Sequence, residues 1–311
     1  MADSLNFTVP ARTTTHFVVA TDREPGDVRL PLHRRLIEPF ATAVAERLGT
    51  PQLTITGHSA AESPWNLDQV AGEEEDHETE ARVRKAAHHI SVIAALPVTD
   101  QPFGSQVARA VTRAIADATG GVPVDVDTGH VFSYQSPAEE RAGFVLADDW
   151  IGAWLPSYRD DGRCTADENE VDGCACVELT TRGLRRFGLP ELRITGVACP
   201  HDLAALNVLR GTAQYLLSTE PRPGTRSLPR GLAIASDDFA AYWGVDQPMW
   251  TDGPIPIGLD VLDPRLLEVG PPQDYDGSIN DWLWDELPPV MYELLSCDPD
   301  PEPTLLTHHL A

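Results

Sequence analysis

Two stretches of this chain, offset by about 70 residues, repeat the same order of residue types, and no other feature narrows the fold as far. The first passes from His16-Phe-Val-Val-Ala20 through a polar loop to residues 31–48, then Gly49-Thr-Pro51 and residues 52–56. The second passes from His89-Ile-Ser-Val-Ile-Ala-Ala95 through a Pro-containing loop to residues 103–119, then Gly120-Gly-Val-Pro123 and residues 124–127. Leu32, Leu36, Phe40, Val44 and Leu48 recur every four positions, as do Phe103, Val107, Val111 and Ile115. That period predicts one helix in each stretch, with branched apolar strands on either side. Gly49 and Gly120 stand where a left-handed helix cap is needed. Two consecutive βαβ units predict a ferredoxin-like, split βαβ half over residues 14–135. The connection between them, residues 60–84, is polar and carries Glu73-Glu74-Glu75-Asp76, which predicts an exposed, mobile link.

A second, mixed α+β half is expected over residues 143–295. Strands are predicted at 144–147, 150–155, 174–179, 192–197 and 231–235, with a long polar loop at 156–173. Thr180 and Gly188 frame a short helix, Asp202 is placed to cap a helix over 203–217, and Ser278 to cap one that Pro288-Pro289 stops. Residues 296–311 read as a loose tail. The whole is an α+β chain of two layers.

Composition excludes several chemistries. Lys85 is the only lysine beside 22 arginines, and it lies in a polar run with no G-x-x-x-x-G before it. Phosphate loops, kinases, Schiff-base enzymes and class I aldolases are therefore not expected. The arginine bias is the composition of a GC-rich genome. A formal net charge of −25 repels nucleic acid and anionic lipid, so neither is an expected partner, while a protein partner is. No basic-then-apolar leader opens the sequence, and the longest apolar stretch, 90–98, is broken by Ser91 and Pro97. Five cysteines, an odd number, fit a reducing compartment, so a cytoplasmic protein is expected.

Few residues carry a chemical signal. Cys164, Cys174, Cys176 and Cys199 fall within 36 residues, and His201 follows. Thiolates and an imidazole suit Zn²⁺, although the C-x-C of Cys174 and Cys176 is tighter than the usual zinc knuckle. On an extended chain these two side chains share a face, toward one ion or toward the core. Asp125-Val-Asp127-Thr-Gly129 has alternating oxygen ligands but no later bidentate Glu, so it reads as a hairpin turn and not a calcium loop. Asp148-Asp149 reads as a turn between strands. His16 and His89 read as structural histidines. No G-x-S-x-G, H-E-x-x-H or G-x-G-x-x-G occurs. In the acidic segment Asp281-Trp-Leu-Trp-Asp-Glu286, Trp282 and Trp284 point far apart around a helix, so one is expected to be exposed as an interface anchor.

The run Thr181-Arg-Gly183-Leu184-Arg-Arg-Phe187-Gly188-Leu189-Pro190-Glu191-Leu192, followed by a strand and a helix as far as residue 217, resembles uncharacterised bacterial α+β domains of the suppressor-of-fused and immunity-protein kind. The resemblance implies a role in binding and assigns no catalytic residue. With the absence of a familiar catalytic constellation, it leads to an expectation of a protein-binding, regulatory or neutralising function without cofactor. The alternative is a zinc-assisted enzyme with its site at Cys174, Cys176, Cys199 and His201 or near Asp148 and Asp149.

Overall fold

The computed structural model describes residues 4–24, 26, 32, 34–67, 70, 77–132, 140–153, 174–293 and 295. Cys164, the acidic run at 73–76, the loop at 156–173 and the tail from 296 lie outside the described residues.

Strand β1 (Ser4–Val9) leads into β2 (Arg12–Thr21), followed by helix α1 (Phe40–Arg47), β3 (Leu53–Ser59), helix α2 (His77–Lys85), β4 (His88–Pro97), helix α3 (Phe103–Thr119), β5 (Val122–Asp125) and β6 (His130–Val131). The sheet order is β3-β4-β2-β5-β6, with every neighbour antiparallel. β2 and β3 are thus separated by β4, which is the split βαβ arrangement. Gly49 and Gly120 both adopt positive φ, at 81° and 67°. α3 spans the expected residues and is almost wholly enclosed, since one side meets β2 and β4 and Arg109 on another meets Asp148 and Trp150.

Two local expectations need correction. The helix expected over 31–48 is interrupted at Pro39, and α1 starts only at Phe40. Proline has no N–H to continue the ladder and its ring crowds the carbonyl four residues back. The apolar stripe survives the break, with Leu32, Phe40 and Val44 all buried. The link at 60–84 is also not simply exposed. Leu67 and Val83 bury against Val18, Ala20, Val122 and Val124, and Trp65 Nε1 donates to Ser91 Oγ at 2.6 Å. These contacts cover part of the sheet face opposite α3.

In the second half, β7 (Val177–Thr180), β8 (Glu191–Val197), helix α4 (Asp202–Leu217), β9 (Gly224–Pro229), β10 (Gly231–Ile234), helix α5 (Ser236–Tyr242), β11 (Ile255–Asp263), β12 (Leu266–Gly270) and helix α6 (Ile279–Glu286) follow in turn. The sheet runs β10-β11-β12-β8-β7, and only β12 and β8 are parallel. Helices and antiparallel and mixed sheets together make this an α+β protein. Ser278 caps α6 as expected, its hydroxyl accepting from the Asp281 N–H at 3.1 Å. The strand expected at 144–147 is absent; these residues turn back on themselves, as does the start of the segment expected as a strand from 150. Phe144 and Trp150 instead pack on Phe187, because aromatic bulk fills an inter-element gap as readily as it lines a strand. Neither Thr180 nor Asp202 is an N-cap: Gly183 precedes the 3₁₀ turn Leu184–Phe187, and Asp202 is already helical.

Two further features join the halves. β1 pairs antiparallel with β9, so the first strand of the chain belongs to the second half. The other is a buried ion pair. Arg186 and Asp125 are almost completely enclosed, with Nη1–Oδ2 and Nη2–Oδ1 distances of 2.8 and 2.6 Å. Removing one partner strands a charge in the interior, which costs about 3–5 kcal/mol. Arg186→Met should therefore lower the urea unfolding midpoint by that equivalent, and Arg186→Met with Asp125→Asn should regain part of it. A loss below about 1 kcal/mol in the single variant would show that the pair does not hold the halves together.

Candidate functional site

Alternation along β2 sends Thr13, Thr15, Phe17 and Val19 toward α3 and Thr14, His16, Val18 and Ala20 to the opposite face. The 60–85 segment covers that face at Val18 and Ala20. Toward Thr14 and His16 the same face of β2 looks onto the second half, and a cleft of ≈ 820 Å³ opens there. Thr14 and His16 form one wall, the β5–β6 turn contributes Asp127, and the Thr181–Glu191 run and the β11–β12 hairpin form the other side.

The β5–β6 turn is the Asp-Val-Asp-Thr-Gly hairpin. Asp125 Oδ1 accepts from the Asp127 and Thr128 N–H groups at 3.0 and 3.3 Å, which folds the turn, and both its oxygens take the Arg186 guanidinium. Asp127 accepts from the His16 N–H at 3.0 Å and meets His16 Nδ1 at 2.8 Å. Asp127 thereby fixes the orientation of the His16 ring, which lines the cleft. Burial acts to raise the Asp127 pKa, but Arg186 and the His16 hydrogen bonds outweigh it and hold the carboxyl below its ordinary value. Burial also opposes charge on Arg186, yet the attraction of Asp125 and Asp127 prevails and raises its pKa.

The facing wall is built by the Thr181–Leu192 run. Gly183 has φ 110°, and a Cβ there would lie 2.6 Å from the Trp150 carbonyl oxygen, so only glycine fits. The turn it permits points the N–H groups of Gly183, Leu184 and Arg185 at the Glu191 carboxylate, 3.0–3.4 Å away, and Thr181 Oγ1 donates to it at 2.8 Å. The run is therefore self-closing: its last acid caps its first turn. Burial raises the Glu191 pKa, against the pull of these donors.

This wall leaves arginines at the mouth. Arg12, Arg182, Arg185 and Arg265 are exposed and line the cleft. Among the described residues Arg182 and Arg265 have no carboxylate partner, Arg12 donates only to the Ala95 carbonyl at 2.6 Å, and Arg185 lies 3.9 Å from Glu191. Four guanidiniums thus share one opening of a chain whose net charge is −25. Sequence reasoning missed this site. His16 and the hairpin read as structural, and the motif reads as caps and core; only its unmatched arginines hinted at a ligand.

The expected site residues separate. The sulfurs of Cys174, Cys176 and Cys199 gather within 4.8 Å of one another, while Cys164 lies outside the described residues. His201 is not in that group: it is buried and its Nδ1 meets Tyr292 Oη at 3.2 Å. Asp148 and Asp149 lie in a turn, with Asp149 at φ 59°. Trp282 is fully buried and donates to the Pro256 carbonyl at 3.2 Å, whereas Trp284 is 70% exposed.

His130 pairs with Asp125 across the hairpin, and burial, reinforced by the charge of Arg186, lowers its pKa to about 3. The unfolded imidazole titrates near ~6.5. The unfolded chain therefore binds the extra proton first as pH falls, so this stabilisation is complete above about 6.5 and is lost progressively toward 3. His130→Asn should flatten the acid limb: between pH 7.5 and 4.5 the variant should lose roughly 2.5 kcal/mol less unfolding free energy than the parent. Equal losses in urea titrations at both pH values would remove His130 from the account.

Compared with protein-family models, with curated proteins and with solved structures, the chain matches none.

Proposed function

We propose that the chain is a binding protein for a small anionic molecule carrying carboxylate or phosphate groups, taken up in the cleft between its halves. The observation that supports this is the set of Arg12, Arg182, Arg185 and Arg265 at one opening, three of them without a carboxylate partner among the described residues. With 48 acidic residues against 23 basic ones, an arginine is easily neutralised on this surface. Guanidiniums gathered around one concavity, three of them without a carboxylate among the described residues, suit bidentate recognition of an anion. The volume, ≈ 820 Å³, is that of a small-molecule site. Beneath them, the His16 ring, held by Asp127, and the hydroxyls of Thr14 and Thr180 supply further polar contacts at the cleft wall. Net negative charge elsewhere disfavours long polyanions, so nucleic acid is not the ligand.

Thermal unfolding with inorganic pyrophosphate and with citrate tests this reading. A ligand at 100 times its Kd stabilises the fold by about 2.7 kcal/mol, which is a clear rise in Tm. Arg182→Ala and Arg265→Ala should each weaken binding about tenfold or more without lowering the Tm of the ligand-free chain. No shift with either anion, or an equal shift in both variants, would overturn it.

A second reading, that the chain also binds a protein, draws support from Trp284. Its ring stands exposed on α6 beside exposed Asp281, Asp285 and Glu286. An aromatic anchor ringed by acid suits a basic protein segment. In pull-downs from the native host, Trp284→Ala should release any partner that the parent retains while leaving anion binding intact. A partner retained equally by both proteins would place the interface elsewhere.

A further inference from the structure

We infer that Cys174, Cys176 and Cys199 form a three-thiolate metal site for Zn²⁺, separate from the anion cleft. Cys174 and Cys176 lie two residues apart on the extended approach to β7, so their side chains fall on the same side. Cys199 opens the 3₁₀ turn Cys199–His201 that leads into α4. The pairing of β7 with β8, in register at Val177 and Val197, brings the two segments together. Sγ of Cys199 lies 3.6 Å from that of Cys174 and 3.2 Å from that of Cys176.

The spacing fits the metal. Zinc–sulfur bonds of about 2.3 Å in a tetrahedron put sulfurs ~3.8 Å apart. The separations at Cys199 differ from this by a few tenths of an ångström, which side-chain rotation alone supplies. A disulfide needs ~2.05 Å, well short of either separation. Two surroundings favour thiolates here. The Cys199 N–H donates to Cys174 Sγ at 3.2 Å, and Cys199 stands just ahead of the N-terminus of a 16-residue helix. Three thiolates this close repel one another unless a cation lies between them, and a soft, tetrahedral divalent ion answers that need. Cys176 is exposed, so the fourth position can be reached from outside the core. His201 does not fill it, being turned to Tyr292. Bound there, zinc would tie the start of β7 to the start of α4.

The test uses the full chain, reduced, stripped with a chelator and then titrated with Zn²⁺ against a chromophoric competitor, with Co²⁺ as the spectroscopic probe. The expected result is one metal per chain, a rise in Tm on zinc addition, and intense thiolate-to-cobalt charge transfer with tetrahedral ligand-field bands. Cys174→Ser, Cys176→Ser and Cys199→Ser should each weaken zinc by more than about 100-fold, since even outer-shell changes at metal sites cost 10–100-fold. If a serine variant fails to fold, the cobalt spectrum of the parent still decides, because sulfur-free coordination gives no such band. Absence of metal uptake by the reduced chain would overturn the inference. So would uptake unchanged in all three variants, or a metal-free cytosolic protein with Cys176 and Cys199 in a disulfide. Pyrophosphate binding should persist in the zinc-free chain, which keeps this result distinct from the anion reading.

Discussion

The fork of Arg186 around Asp125 is the contact on which both the assembly and the cleft depend. Its two residues come from different halves, 61 positions apart, and neither is reached by water. Such a pair contributes little net stability over a well-packed apolar alternative, because two charges have been desolvated to make it. What it supplies is register. The guanidinium accepts only one orientation of the carboxylate, so the hairpin at 125–130 and the turn at 184–187 are fixed against each other. Phe17 and Trp150 close over the guanidinium at 5.5 and 5.7 Å, which shields the pair further.

From that fixed point the cleft follows by alternation and by charge. Asp127, two residues on, faces the same way as Asp125 and holds His16, while Arg182 and Arg185, close to Arg186 in sequence, face out. One short run therefore supplies a buried cation that organises the wall and exposed cations that face a ligand. Glu191 serves the same wall from within, its oxygens taken by Thr181 and three backbone N–H groups. With its one acid already bonded inward, the wall leaves Arg182 without a carboxylate partner among the described residues and Arg185 only at 3.9 Å from Glu191.

The thiol cluster rests on a different principle. Here the geometry comes from sheet pairing: β7 against β8 places residues just before one strand beside residues just after the other. The C-x-C spacing that looked too tight for a zinc knuckle is supplemented by Cys199, 23 residues further on. His201, two residues on from Cys199, is carried away by the same turn, since a 3₁₀ helix rotates successive side chains by a third of a turn.

By itself the sequence determined the local elements whose signals are periodic or conformational. The four-residue apolar period placed α3, branched runs placed β2 and β4, and the Asp-Thr-Gly hairpin and the Ser278 cap followed from turn and cap chemistry within a few residues. It also indicated that Trp282 and Trp284 would part, since that depends only on the angle per residue in a helix. Tertiary structure alone decided the rest. That Phe144 and Trp150 fill a gap and do not form strands, that β1 crosses to the second half, and that His16, Asp127 and four arginines share an opening are all set by which distant surfaces meet. Buried charge is the clearest case: Arg186 reads like any other arginine in the chain, and only the arrival of Asp125 makes its enclosure tolerable, because a charge leaves water only where its partner is already waiting.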